Sequence, residues 1–170
     1  MDPDIAWGVG NVIAAGNMLV SVLEDRVLRR YGLTFAGSRL LTTVCIAGPT
    51  EPREIARLLY LSRPAVVNGL NTLERARLIV RIPDDSDRRL VRAVATDAGL
   101  DAFNRYTSEL YEVQCEVMGM FEPAERQALF SLTGELAYAA HEIVERSAAE
   151  RPRGPLPRTP FQEREEDAAL

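Results

Sequence analysis

The sequence of 170 residues contains no lysine, a single histidine and only two cysteines. All twenty basic residues are therefore arginines, whose planar guanidinium groups suit contacts through several hydrogen bonds at once. Cys45 and Cys115 form no closely spaced motif, which argues against a disulfide framework and a cysteine-based metal site. Two alternatives stay open for these cysteines: small buried apolar side chains, or a redox switch.

Patterns that accompany catalysis and cofactor binding are also lacking. His141 has no Ser, Cys or carboxylate signature around it, and the sequence has no glycine-rich phosphate loop or metal-ligand spacing. We therefore expect no enzyme activity, no catalytic residue, no metal and no cofactor. Because no secretory leader pattern precedes the cysteines, we expect a cytoplasmic protein.

One long stretch, Ile5–Leu23, has no charge and must be weighed as a membrane span. Its Gly, Asn and Ser residues and the lack of a basic anchor at its flanks argue against a span. On a helical wheel Val9 and Ile13 lie on one face, whereas Trp7 and Met18 lie on much of the other. A helix that is apolar on most sides is usually buried on most sides, so we expect it to lie between its own domain and a second subunit.

Positive charge is concentrated in one part of the chain. The net charge is −5, yet residues 53–92 hold nine arginines against five acids, an excess of +4. The rest of the chain holds eleven arginines against twenty acids, which gives −9. Because a phosphate backbone senses the local field, a polyanionic partner is compatible with residues 53–92 despite the acidic total.

The same region contains the pattern of a helix-turn-helix. Pro52 suits the first turn of one short helix, and Ser62 caps a second helix with Pro64 in its first turn. Apolar residues of the second helix, Val66 and Leu70 among them, repeat at helical spacing. Two short helices joined by a tight turn are typical of DNA-binding helix-turn-helix units.

A β-hairpin is predicted directly after this pair of helices. Residues 78–82 and 90–95 have strand-like alternation, and the connecting Pro83-Asp84-Asp85-Ser86-Asp87 is rich in turn formers. We expect this acidic turn to project into solvent or onto a ligand. The arginines that follow it, Arg88 and Arg89, make the hairpin a candidate DNA-binding wing.

Four longer helices complete the prediction. They run from about Pro3 to Arg30, from Phe35 to Ala47 after the cap Thr34, from Thr96 or Asp97 to about Gly119, and from Pro123 to about Arg146. The third should turn five side chains inward: Leu100, Phe103, Tyr106, Leu110 and Val113. The fold class is mainly α with a small β wing: a winged helix-turn-helix lobe plus a long helical dimerisation region. We expect a dimerisation helix at 1–32, the DNA-binding lobe at 33–96, further dimerisation helices at 97–148, and a flexible tail at 149–170.

Over roughly residues 5 to 146 the chain resembles the MarR-type winged helix-turn-helix transcriptional regulators. The motifs that carry the resemblance are Pro52-Arg-Glu-Ile-Ala56, Leu61-Ser-Arg-Pro-Ala-Val66, Leu70-Asn-Thr-Leu-Glu74, Leu78-Ile-Val, Asp87-Arg-Arg89 and Ala95-Thr-Asp-Ala-Gly99. The resemblance implies a homodimer that binds palindromic double-stranded DNA and usually represses transcription. It also implies, for many members, release of DNA by a small aromatic or phenolic effector or by an oxidant. The reactive cysteine that peroxide-sensing relatives carry in the first helix is missing here.

The candidate DNA contacts fall into three groups. Arg89, braced by Asp87, is expected in a minor groove, with Arg88 on the flanking phosphate. Asn68 and Asn71 lie three apart on one helix face, where an Asn amide can form a bidentate pair with adenine. The remaining candidates are phosphate, base or groove contacts on the two short helices: Arg53, Ser62, Arg63, Pro64, Ala65 and Thr72. Glu54 and Glu74 are expected to be structural, and Val67 either touches thymine or belongs to the core.

An effector pocket, where the first, second and fifth helices meet the lobe, has as candidate lining residues Trp7, Asn11, Phe35, Ser38 and Tyr106. Ordinary packing is the alternative for each of them. The second helix of the helix-turn-helix, which we call the recognition helix, is poorer in polar side chains than is usual in the family. Its residues include Ala65, Val67 and Gly69. A winged-helix protein-interaction module without strong DNA binding is therefore the alternative to a regulator.

Overall fold

The computed structural model describes residues 3–84, 87 and 90–150 of the chain. The chain divides into two compact units, Met1–Pro123 and Ala124–Leu170. In chain order the elements are α1 (Pro3–Arg26), a short 3-10 helix (Leu28–Tyr31), α2 (Phe35–Ala47), α3 (Pro52–Leu59), α4 (Arg63–Arg75), β1 (Ile79–Pro83), β2 (Val91–Ala95), α5 (Asp97–Met118) and α6 (Pro123–Glu150). The predicted fold class, mainly α with a small β wing, is confirmed.

Local capping signals set three of the helix starts in the first unit. Thr34 accepts a hydrogen bond from the backbone N–H of Gly37, and Ser62 accepts one from that of Ala65. Thr96 does the same for Gly99 at the start of α5. Each cap satisfies a backbone donor that the first helical turn leaves without a partner, so each helix begins where the sequence predicts.

The expected single helix from Pro3 to Arg30 is wrong at its C-terminal end. It stops at Arg26, and Val27 adopts φ −129° and ψ −66°, outside the helical region. The 3-10 turn that follows ends at Gly32, whose φ of 65° is left-handed and suits glycine. The break turns Val27 and Leu28 into the core, where both are fully buried, and that burial outweighs the continuity of the helix.

The core of the first unit joins all of its elements except most of α1. Its fully or nearly fully buried apolar residues are Val27, Leu28, Leu33, Leu40, Leu41, Val44, Ile55, Ala56, Val66, Leu70, Leu73, Ile79, Ala93, Tyr106 and Val113. α2 packs against both α4 and α5 and thus lies at the centre of the lobe. The core therefore packs against the inner face of the surface helix α4.

The hairpin is a two-stranded antiparallel sheet with Ile79 opposite Ala95 and Pro83 opposite Val91. A third segment joins it through Thr50, whose backbone exchanges two hydrogen bonds with Ala93, at 3.1 and 2.9 Å. This bridge attaches the middle of β2 to the loop that precedes α3. The hairpin and the two short helices consequently form one structural unit.

The start of α5 departs from the predicted inward stripe. Tyr106 and Val113 are buried and Phe103 and Leu110 are half-buried, as predicted, but Leu100 is 40% exposed. Gly99 occupies the close contact instead, because a Cβ built on it would lie 2.0 Å from the carbonyl oxygen of Leu78. Only glycine lets the helix approach the backbone of Leu78, the residue before β1, this closely.

The second unit, as far as the structure describes it, consists of α6. The helix extends to Glu150, four residues beyond the expected end at Arg146. Along it several apolar side chains are exposed, including Phe130 at 64% and Tyr138 at 67%. Most of the expected tail, residues 151–170, lies outside the described residues.

The helices that the structure describes include no candidate membrane span, since none combines the length and the apolar character that crossing a bilayer requires.

Candidate nucleic-acid interface

Helix α4 has one face in the core and one face in solvent. Val66, Leu70 and Leu73 are at most 1% exposed. The opposite face exposes most of the predicted contact residues of this helix, together with its cap: Ser62, Arg63, Pro64, Ala65, Asn68 and Thr72. Val67, for which the sequence left a core position open, is 42% exposed. The helical period thus places the candidate base contacts on the accessible side of the helix.

Three exposed groups on the outer side of α3 and α4 form no hydrogen bond or salt bridge with a described residue: Arg53, Arg63 and the side-chain amide of Asn68. Arg57 differs, because its guanidinium donates to Glu54 through Nη2 and Nε, at 2.6 and 3.0 Å. This bidentate pair holds the pKa of the Glu54 carboxyl below its ordinary value. The predicted structural role of Glu54 is consistent with this pair, and Arg53 and Arg63 are the cations available to a ligand.

The side chains of Asn71 and Thr72 form hydrogen bonds within the protein. Arg81 on β1 donates through Nη1 to Oδ1 of Asn71 at 2.7 Å and to Oε2 of Glu74 at 3.2 Å. The Thr72 hydroxyl donates to the backbone oxygen of Asn68 at 3.2 Å and accepts a bond from Arg75. The sequence-based interpretation missed Arg81, whose only visible signal was a charged residue in a short, otherwise apolar strand.

The acidic turn of the wing is only partly exposed, which corrects the expectation that the whole turn projects outward. Asp84 is 7% exposed and accepts a hydrogen bond from the Nε of Arg92. Its other oxygen accepts a bond from the backbone N–H of Asp87, at 2.9 Å. A carboxylate can be buried here because a cation and a backbone donor both bind it.

Arg92 also reaches the loop before α3. Its Nη1 donates to the backbone oxygen of Pro49 at 3.2 Å, and its Nη2 lies 3.5 Å from Oε1 of Glu51. The network therefore anchors the wing to the helix-turn-helix. Asp87, predicted to brace Arg89, is exposed; Arg88 and Arg89 lie outside the described residues, so their roles stay predictions.

Gly69 has a packing role. A Cβ on this residue would lie 2.2 Å from Cδ1 of Leu40 in α2, so glycine allows α4 to approach α2 closely. Gly69 therefore lies on the inner side of the recognition helix, and its lack of a side chain removes nothing from the surface that faces a ligand.

The structure divides the predicted effector-lining residues into two groups. Ser38 and Tyr106 are buried and adjacent, because the Tyr106 hydroxyl donates to the backbone oxygen of Ser38 at 3.1 Å and also bonds to Thr42. Burial raises the pKa of Tyr106 to about 12. Phe35 is half-buried beside this core, whereas Trp7 is 72% exposed and Asn11 is exposed on α1. The structure thus does not bring the five together into one pocket.

A cleft of about 330 Å³ lies between the end of α1 and α5. It is lined by Arg26, Val27, Arg30, Glu109, Glu112, Val113 and Glu116. Arg26 pairs with Glu116 at 2.6 Å, and Arg30 pairs with Glu109. Tyr31 donates its hydroxyl to the same Glu109, and this hydrogen bond raises the pKa of the tyrosine. None of the predicted effector residues lines this cleft.

Comparison with known proteins supports the family assignment. The sequence profile of the MarR family matches residues 31–90. The chain is 28% identical over 131 residues to YwaE of Bacillus subtilis, an uncharacterized HTH-type transcriptional regulator, with 77% of each protein covered. It is 27% identical over 123 residues to the HTH-type transcriptional regulator PecS of Dickeya dadantii, a match that covers 71% of this chain and 74% of PecS.

One similarity is to an enzyme and is partial. The class II fumarate hydratase of Mycobacterium tuberculosis is 30% identical over 122 residues, which are 70% of this chain but only 25% of the enzyme. Three quarters of the enzyme therefore have no counterpart in this match.

Solved structures share the fold. The transcriptional regulator PcaV of Streptomyces coelicolor, crystallised with its natural ligand, superimposes with a TM-score of 0.70 at 19% identity, covering 77% of this chain and 92% of PcaV. CouR of Rhodococcus jostii, bound to p-coumaroyl-CoA, gives a TM-score of 0.67 at 21% identity over 79% and 92% of the two chains. The sequence motifs, the fold and these matches agree: the chain resembles the MarR family of winged helix-turn-helix transcriptional regulators, whose profile matches residues 31–90.

Proposed function

We propose that the chain is a homodimeric, sequence-specific DNA-binding regulator, acting in the cytoplasm as a repressor that a small aromatic or phenolic effector relieves. The observation that carries the proposal is the outer face of α4, where Arg63 and the Asn68 amide are exposed without partners among the described residues. Free donors on a surface helix, next to a hairpin anchored to the same unit, are the groups that a major groove and its phosphates require.

DNA contacts are assigned by position. Asn68 reads a base edge, Arg63 takes a guanine or a phosphate, and Arg53 at the start of α3 takes a phosphate. Arg89, from the family resemblance, enters a minor groove at the tip of the wing, with Arg88 on the flanking backbone. These cations all lie within residues 53–92, where the local excess of positive charge offsets the acidic total of the chain.

Fluorescence anisotropy with labelled duplexes that tile the DNA flanking the protein's own gene tests this function. We expect nanomolar binding to one duplex, with a logarithm that falls steeply with the logarithm of salt concentration. Arg63→Ala should weaken the binding and, if Arg63 contacts a phosphate, lower the salt slope by about one. Arg105→Ala on α5, which removes the same charge from an exposed site outside the lobe, is the matched control.

Flat micromolar binding to every duplex would instead support the alternative, a winged-helix protein-interaction module. Arg89→Ala tests the wing separately. We expect about tenfold weaker binding to the preferred duplex, with an unchanged thermal midpoint and an unchanged dimer mass. Equal affinity of this variant and the unaltered protein would remove Arg89 from the interface.

The effector part of the proposal is supported by ligand-bound neighbours of the same fold and by the cleft of about 330 Å³, a volume that suits a small ligand. Thermal shifts with a panel of phenolic acids, followed by anisotropy in the presence of each hit, test it. A compound that raises the thermal midpoint and releases DNA is the expected result. A panel that leaves both readings unchanged would contradict the phenolic class.

A further inference from the structure

Arg81 joins the wing to the recognition helix. Its guanidinium, on a side chain 25% exposed, is bound to three positions of α4: the Asn71 amide, the Glu74 carboxylate and, at 3.4 Å from Nη2, the backbone oxygen of Val67. These positions are spaced by four and three residues, so they lie along one side of the helix. The side chain of Arg81 therefore runs along the shoulder of α4 that faces the hairpin.

This contact sets the orientation of the Asn71 amide. An arginine can only donate hydrogen bonds, so the Asn71 atom at 2.7 Å from Nη1 is the oxygen. The amide nitrogen has no partner among the described residues, and Asn71 is half-exposed. In this orientation the amide offers its two N–H donors, while its acceptor is already bound to a cation.

Asn68 provides the contrast within the same helix. Both atoms of its side-chain amide are without a partner among the described residues, and the residue is exposed. A bidentate pair with adenine needs one acceptor and one donor on the amide, because adenine offers the N6 amino group and the N7 acceptor. Asn68 meets this requirement without rearrangement.

Guanine offers two acceptors in the major groove, N7 and O6, and so suits a group that can only donate. Oδ1 of Asn71 has a second lone pair, but the charge of Arg81 polarises the amide. That polarisation weakens the oxygen as an acceptor from a neutral amino group and strengthens the N–H groups as donors. The two asparagines of α4 should therefore prefer different bases.

We propose that Arg81 is a positioning residue for DNA specificity: it holds Asn71 as a donor-only side chain that selects guanine, while Asn68 remains able to select adenine. The inference rests on the proposed DNA binding and deepens it, because it assigns a base preference to one residue of the interface. It differs from the expectation from sequence, in which an Asn amide at either position can pair with adenine.

Selection from a randomised duplex library with the full chain tests the assignment. The unaltered protein, Asn71→Ala, Arg81→Met and the charge-matched control Arg105→Met are each used to enrich duplexes, which are then sequenced. The position that Asn71→Ala flattens identifies the base facing Asn71. We expect guanine there in the unaltered protein, and we expect Arg81→Met to lower the guanine-to-adenine ratio at that position about tenfold. Arg105→Met should leave every position unchanged.

Base ratios within one library are insensitive to a uniform loss of affinity, so they separate positioning from a general structural effect. Arg81→Met leaves the Glu74 carboxylate without its cation, and the double variant Arg81→Met/Glu74→Gln removes that charge and should show the same shift in ratio. Arg81→Lys, which keeps the positive charge in a single ammonium group, should retain part of the preference for guanine. Circular dichroism of each variant checks that the lobe is folded.

Three results would overturn the inference: adenine at the position that Asn71→Ala flattens, no flattened position at all, or an unchanged ratio in both the Arg81→Met variant and its double variant. Failure of the broader function is recognisable separately, because the unaltered protein would then enrich no sequence. That outcome would overturn the proposed function and this assignment with it.

Discussion

Gly99 shows how strongly a single residue can constrain the contact between a helix and a strand. Its own N–H is bound to the Thr96 cap at 3.0 Å, and a Cβ here would lie 2.0 Å from the backbone oxygen of Leu78. That oxygen also accepts a hydrogen bond from the backbone N–H of Thr96, so it cannot move away without breaking the bond. We expect Gly99→Ala to destabilise the protein by about 2 to 4 kcal/mol, as measured by urea unfolding.

The matched control for this prediction is Gly134→Ala in the middle of α6. A Cβ at Gly134 would have nothing within 4 Å, so this change should gain up to about 1 kcal/mol of helix propensity. Similar unfolding midpoints for the two variants would contradict the close approach of α5 to β1.

Cys45 and Cys115 differ in the environment of their thiols. Burial raises the pKa of Cys45 to about 11 from an ordinary value of 9.0. At a pH below 9 this shift lowers the fraction of Cys45 present as thiolate by about a hundredfold. In a Cys115→Ser variant we expect iodoacetamide to modify Cys45 about a hundred times more slowly in the folded than in the unfolded protein, near pH 8. Mass spectrometry of the adduct gives both rates.

Equal rates of labelling in the two states would show that the Cys45 thiol is accessible and ionisable. The expected protection removes Cys45 as an oxidant sensor, because the thiolate is the form that oxidants attack. The redox alternative then falls on Cys115, which is exposed. The raised pKa of Cys45 also makes the stability of the fold depend on pH. The stabilising contribution of the neutral thiol to the free energy of unfolding is complete below pH 9 and is lost as the pH rises through about 11.

At the scale of elements, the signals that sequence reasoning used best were local ones. Thr34 and Ser62 mark helix starts because each cap bonds an N–H three residues away, and the period of Val66, Leu70 and Leu73 determines which face of α4 is exposed. The burial of Asp84 was not predictable in this way. Its partner Arg92 is eight residues away across the hairpin, and the cost of burying a carboxylate depends on that contact.

The same limit explains the outcome for Asn71 and for the first helix. Helical spacing places Asn71 beside Asn68, but its oxygen is bound to Arg81, ten residues farther along the chain. The end of α1 at Arg26 depends on the core that receives Leu28, which is built from α2, α4 and α5. Local propensity favours a continuous helix there, and tertiary packing decides otherwise.

The hydrogen bonds of Asp84 and Arg92, which anchor the wing, make a prediction for the hairpin as an element. Arg92→Met removes a cation that binds the Asp84 carboxylate, which is 7% exposed, and we expect a loss of about 2 to 4 kcal/mol in urea unfolding. The double variant Asp84→Asn/Arg92→Met removes the charge as well and should lose less than the single variant. A double variant that loses the full sum of the two single changes would show that the two side chains do not act as a pair.

At the scale of the whole molecule, the apolar surface of α1 points to an interface that one chain does not fill. Trp7 and Met18 are each 72% exposed and Ile13 is 58% exposed, while the core of the lobe begins only at Val27. Large apolar side chains exposed on more than one face of a helix are typical of a protein–protein contact. A second copy of the chain is the partner that the proposed function requires, since a palindromic DNA site matches a protein with two-fold symmetry.

Ile13→Glu tests this interface. A carboxylate cannot enter an apolar contact without a partner, so we expect the variant to be monomeric at micromolar concentration in light scattering. Under the same conditions we expect the unaltered protein to have twice the mass of the chain. Ala36→Glu adds the same charge at an exposed position of α2 and should remain dimeric. Ile13→Glu should bind DNA more weakly because it has lost dimerisation, and a monomer contacts only one half-site. A monomeric unaltered protein, or a dimeric Ile13→Glu, would show that α1 does not form the dimer interface.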